Sequence, residues 1–176
     1  DATDDDGRGG GWSSGQKALP TQHLDAYQTL KQWHRQLWLR GVRADVVSPD
    51  APLNNYAAVL LPSAQLLNTE QSEALKEHAK HGGQVVLGPF TAVADHTTRV
   101  YHGAFPQPLQ PEIGVAGEEW IPLPRENSFL TLTLNTHSER HGPDYDWQAT
   151  NYVEKLNLVG DHTDVILAYA ENANEP

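Results

Sequence analysis

Residues 56–91 read YAAVLLPSAQLLNTEQSEALKEHAKHGGQVVLGPFT. The run from Tyr56 to Leu61 is apolar without polar alternation, which suits a parallel strand covered on both faces. Pro62 closes it. Asn68 or Thr69 caps a helix over 69–81, with Leu67, Ala74, Leu75, His78 and Ala79 facing inward. Gly82-Gly83 ends that helix, and Gln84 to Gly88 makes a further buried strand. Strand, helix, strand at this spacing predicts a parallel sheet with helices on its faces. The last strand runs straight into a sharp turn, Gly88-Pro89-Phe90-Thr91. In α/β enzymes such a turn holds a nucleophile or a phosphate loop.

Upstream, Gln22 to Arg40 is helical in pattern. Leu24, Tyr27, Leu30, Lys31, His34, Leu37 and Trp38 recur at three- and four-residue steps, with Trp33 on the flank. Gly41 stops the helix. Val42 to Val47 is rich in β-branched residues and reads as a strand, followed by the turn cluster Ser48-Pro49-Asp50-Ala51-Pro52. Downstream, the pattern loosens through a proline-rich stretch. Residues 129–134, 150–159 and 164–170 read as strands, the first of them antiparallel. Residues 1–11 form an irregular acidic and glycine-rich entry, 12–170 a single α/β domain and 171–176 a tail.

The chain has 176 residues and a formal net charge of −11. Nucleic-acid and anionic-membrane partners call for a basic face, and no Lys/Arg cluster offers one. There is no Cys, which excludes disulfides, thiolate metal sites and a Cys nucleophile, and fits the cytoplasm. No stretch is long and apolar enough to span a bilayer.

The candidate chemistry is thin. Glu118-Glu119 are neighbours, so on a regular strand they point to opposite faces. They cannot form the carboxylate pair of a retaining glycosidase, and Asp95 with Glu118 is an arbitrary alternative. His137, His141, Asp144 and Asp146 offer metal ligands, but Gly142-Pro143 makes the segment a loop, which reads as solvated rather than as a zinc site. No G-x-S-x-G elbow occurs, so Ser63 and Thr91 read as capping residues. GRGGGW (7–12) follows no strand and is no dinucleotide loop. No residue is assigned a catalytic, cofactor or metal role. Trp33 and Trp38 lie about 140° apart around one helix. One therefore packs inward, and the other is available to a subunit interface.

The ordered set of Tyr27 with Leu30, Asp45-Val46-Val47, Tyr56 before Val59-Leu60-Leu61-Pro62, Gly82-Gly83, Leu109 to Val115 leading into Glu118-Glu119, and Asp164 to Tyr169 resembles the middle domain of the family 42 glycoside hydrolases, the bacterial β-galactosidases. The resemblance implies a three-layer flavodoxin-like fold, related to class I glutamine amidotransferases, with a mostly parallel central sheet. It implies a non-catalytic domain that holds a homotrimer together and helps close a neighbouring subunit's active site, with Trp12 as the residue nearest that role. The retaining hydrolysis would belong to a separate catalytic barrel of the parent chain. Where such a domain opens on an apolar strand, this chain has acidic residues and glycines, so edge strands are expected to be missing. In amidotransferase-like domains the elbow carries a Cys. Here Gly88, Pro89, Phe90 and Thr91 occupy it, a degenerate elbow. The alternative to an assembly domain is an amidotransferase-like pseudoenzyme or a sugar-binding module.

Overall fold

The computed structural model describes residues 25–122, 130–134, 147–149, 152–161, 163–164 and 167–169. Trp12, the 1–11 entry, the 171–176 tail and the His137/His141 loop lie outside the described residues. Helix α1 (Ala26–Leu39) begins at Asp25, whose carboxylate accepts from the backbone N–H groups of Tyr27 and Gln28. Strand β1 (Ala58–Leu61), helix α2 (Thr69–Lys80) and strand β2 (Gln84–Leu87) follow. β1 and β2 pair in parallel, from Ala58 opposite Gln84 to Leu61 opposite Leu87.

Helix α2 starts where its sequence dictates. The Asn68 side chain accepts from the Gln71 N–H at 2.8 Å, and the Gln71 side chain accepts from the Asn68 N–H at 3.0 Å. Such a box stabilises a helix start by about 1 kcal/mol. Gln71 also donates to Asp50 at 2.8 Å, tying the helix to the preceding turn. The inward stripe is narrower than the periodicity suggests. Ser72, Leu75 and His78 are buried, whereas Ala74 and Ala79 are exposed. The core gathers Leu61, Ala64, Leu67, Leu75, Ala92 and Leu109, with Leu53, Val59, Val85 and Leu87 packed against them.

Two expectations of the sequence are corrected here. Val42 to Val47 is extended but joins no ladder, and Val42, Val46 and Val47 are exposed. A strand is a paired state, and in a doubly wound sheet this segment pairs with a strand preceding α1. No described residue fills that place. Nor are both faces of the β1–β2 pair covered. Val85 and Leu87 turn to the core, while Val86 on the other face is 42% exposed.

Beyond β2 the chain builds with antiparallel pairs. A 3-10 turn (Gln107–Leu109) leads into the short helix α3 (Gln110–Ile113). Strand β3 (Val115–Pro122) pairs antiparallel with β6 (Tyr152–Leu158), and β4 (Leu130–Leu134) lies between β5 (Trp147–Ala149) and β7 (Leu167–Tyr169), antiparallel to both. Among the described residues the one parallel ladder is β1–β2, joined by an isolated parallel bridge between Leu66 and Ala94. Among its described residues the second half has no long helix to carry the chain back across a sheet, and antiparallel strands need none.

The ends of β1 and β2 meet with no space between them. A Cβ added to Gly88 would lie 2.2 Å from the Pro62 carbonyl oxygen, and the Gly88 N–H donates to the Leu61 carbonyl at 2.8 Å. Gly88→Ala is therefore expected to destabilise the chain by about 1–3 kcal/mol, read as a lower urea midpoint with an unchanged slope.

Candidate functional site

The turn after β2 is a bent piece of chain. Phe90 and Ala92 both sit at φ 56°, where non-glycine residues are uncommon. Their side chains are fully inside, at 1% and 0% exposure. Packing holds them there: the Phe90 ring lies 4.6 Å from the Trp120 ring, and Ala92 is a member of the core cluster. Gly88 supplies the close approach to β1. Thr91 Oγ1 donates to the Gly88 carbonyl at 2.8 Å and closes the turn on itself. The turn is tight and its bend is held from both sides. Its side chains are an aromatic ring, a proline and a hydroxyl committed to a backbone carbonyl.

That elbow rests on an aromatic plate. Phe105 stacks on Trp120 at 4.2 Å between ring centroids, with Phe90 on Trp120 as well. Gly117 makes room for the plate, because a Cβ there would fall 2.2 Å from the Phe105 ring. The Trp120 indole N–H donates to Glu154 Oε1 at 3.3 Å. Glu154 is half-buried beside the plate. Burial pushes its carboxyl above the ordinary value, and the indole bond only partly opposes this. The sequence offered no sign of this pair, since Trp120 and Glu154 are 34 positions apart and meet only across the β3–β6 ladder.

The paired glutamates are separated by a bulge rather than by alternation. Between Gly117 and Glu119 the register shifts, leaving Glu118 as the extra residue. Glu118 meets Lys155 at 2.9 Å and accepts from Asn157 at 3.3 Å. The Lys155 ammonium holds the Glu118 carboxyl below its usual range, and Glu118 foremost, with Glu119, raises Lys155 in turn. One lysine thus answers both carboxylates at the surface, where an ion pair contributes little to stability. Asp95 is a turn residue, with its carboxylate accepting from the Thr97 hydroxyl, the Thr97 N–H and the Arg99 N–H. Among the described residues, no group of three or more His, Asp and Glu is placed to hold a metal ion. No helix there is long and apolar enough to cross a membrane.

At the carboxyl end of β1, where open α/β sheets bind ligands, Ser63 and Gln65 are buried at 6% and 4% exposure. Ser63 Oγ and Gln65 Nε2 have no hydrogen-bond partner. The two helix tryptophans differ in exposure. Trp33 is half-buried, and Trp38 stands 70% exposed.

Glu154 sets a pH dependence whose sign is opposite to that of a salt-bridged carboxylate. Its folded value is raised, so the folded state holds the proton more tightly than the unfolded chain. Its contribution to stability is greatest at low pH and falls as pH rises from the unfolded carboxylate range through the folded value. Glu154→Gln keeps an acceptor for the indole and removes the desolvated charge. Its urea midpoint is expected to exceed that of the wild type at neutral pH, with the two converging below about pH 4.

A family described as the β-galactosidase trimerisation domain matches residues 10–175. Over 149 residues the chain is 26% identical to the β-galactosidase BgaB of Geobacillus sp. (strain Y412MC61), covering 85% of this chain and 21% of that protein. It is 30% identical over 112 residues to the β-galactosidase BbgII of Bifidobacterium bifidum, covering 64% and 16%. In fold, it superposes on the cold-adapted β-galactosidase of Rahnella sp. R3 with a TM-score of 0.76, at 22% identity, over 88% of this chain and 22% of that one. It superposes on the β-galactosidase of the haloarchaeon Halorubrum lacusprofundi with a TM-score of 0.74, at 24% identity, over 92% and 22%. The chain spans about a fifth of the length of these relatives. On the match to residues 10–175, the chain belongs to the β-galactosidase trimerisation domain family.

Proposed function

We propose that this chain is the assembly domain of a family 42 β-galactosidase. It supplies contacts between copies in a homotrimer, and hydrolysis belongs to a catalytic barrel elsewhere in the parent chain. The fold meant is flavodoxin-like, with β1, α2 and β2 as one strand–helix–strand unit of the doubly wound sheet. Trp12, Trp33 and Trp38 are the tryptophans assigned to subunit contacts, Trp12 nearest a neighbour's active site. The observation that carries the reading is the first helix. α1 has apolar residues at helical spacing yet buries no side chain, and Tyr27, Trp38 and Val46 stand 65%, 70% and 64% exposed. Large exposed aromatic and apolar side chains on one element are the kind that subunit contacts cover.

Sedimentation of the isolated chain together with a nitrophenyl galactoside assay tests the proposal. A concentration-dependent trimer without turnover is expected. A strictly monomeric chain, or turnover abolished by replacing one of its acidic residues, overturns it.

A second reading, a sugar-binding module, draws on the unpartnered Ser63 Oγ and Gln65 Nε2. Calorimetric titration with galactose separates the two. The assembly reading expects no saturable heat, and micromolar binding by a monomer would favour the module.

A further inference from the structure

Helix α1 has two unlike sides. Ala26, Thr29, Leu30, Trp33 and Leu37 form its half-buried side. Tyr27, Lys31, His34, Arg35 and Trp38 are all exposed. At 100° per residue these five fall within an arc of about 100°. They make one continuous flank of aromatic rings interleaved with cations. Lys31 Nζ lies 5.3 Å from the centre of the Tyr27 ring, a cation–π contact that holds both side chains along the flank.

The charge around this flank is as uneven as its composition. Residues 26–44 contain four of the 12 Lys and Arg (Lys31, Arg35, Arg40 and Arg43) and none of the 23 Asp and Glu. All the acidic residues of a chain with net charge −11 lie elsewhere. Trp, Tyr and Arg are also the residues that dominate the binding energy of protein interfaces.

We propose that the Tyr27–Lys31–Arg35–Trp38 flank docks on an acidic surface of a second copy of this chain, in a head-to-tail contact. This rests on the assembly reading above and specifies the surface that performs it. Charge selects the occupant. A contact of the flank with itself would set cations against cations. A contact with the rest of the molecule sets them against a surplus of carboxylates. Contacts between two different surfaces are the kind that close into a ring of three, whereas self-complementary ones make dimers. The same net charge repels nucleic acid and anionic lipid, so the flank's cations find their complement within the protein itself.

The test is sedimentation equilibrium of the full 176-residue chain at low salt and at roughly 1 M NaCl, where the screening length is about 3 Å. Wild-type association is expected to weaken at least about tenfold in high salt. Lys31→Glu/Arg35→Glu is expected to weaken it by at least as much at low salt, and Arg35→Lys to retain it. Trp38→Ala is expected to weaken association at both salt concentrations. All three substituted positions are exposed, and circular dichroism identical to the wild type establishes that each variant is folded. A trimer indifferent to salt and to both the double variant and Trp38→Ala overturns the docking surface and leaves the assembly reading standing. A wild-type chain that stays monomeric at every concentration and salt overturns both.

Discussion

The arrangement depends on one contact, the approach of Gly88 to the Pro62 carbonyl. It brings the carboxyl ends of β1 and β2 closer than any side chain at position 88 would allow. From there the chain has one way to continue. Pro89 and Phe90 must turn at once, and Phe90 is driven inward at a positive φ. Its ring then meets Trp120 on β3. Through that ring the parallel first half is joined to the antiparallel second half. A strand end, a bent turn and an aromatic plate form one continuous chain of steric necessity.

The same logic explains the other glycines that matter. Gly83 lies against the His78 ring, where a Cβ would fall 2.1 Å from its Nε2. Gly117 lies against Phe105 in the same way. In each case a large ring occupies the space that a methyl group would need. Gly83 and Gly117 are therefore sockets, whereas Gly41, Gly82, Gly103 and Gly114 serve by their positive φ. The HGG before β2 serves the helix it terminates as much as the strand it begins.

Much of the first half was legible in the sequence. The capping residue Asn68, the terminator Gly82 and the apolar runs around β1 and β2 are local signals, and local physics obeyed them. The strand expected at Val42 to Val47 failed because β-branched composition reports a capacity for pairing and not a partner. The inward face of α1 was left open by the sequence for a related reason. Tyr27, Lys31, His34 and Trp38 are as periodic as Leu30, Trp33 and Leu37. Periodicity cannot say which of two stripes meets the core. The Trp120–Glu154 bond and the bulge at Glu118 are products of cross-strand register, which no short motif encodes. The bend after β2 was readable as a turn, because it follows from Gly88-Pro89-Phe90-Thr91 itself.

The segregation of charge along α1 has a consequence that precedes any contact. With four of its 12 Lys and Arg and none of its 23 Asp and Glu on residues 26–44, the domain carries one positive segment on a net negative chain. Two copies at a separation within about one screening length, about 8 Å at physiological salt, experience a torque as well as a net repulsion. That torque turns the positive end of one toward the negative side of the other. That asymmetry favours approaches in which the positive segment of one copy meets the carboxylates of another. The order of an assembly is then partly written in the field around each free molecule, before any side chain has touched its neighbour.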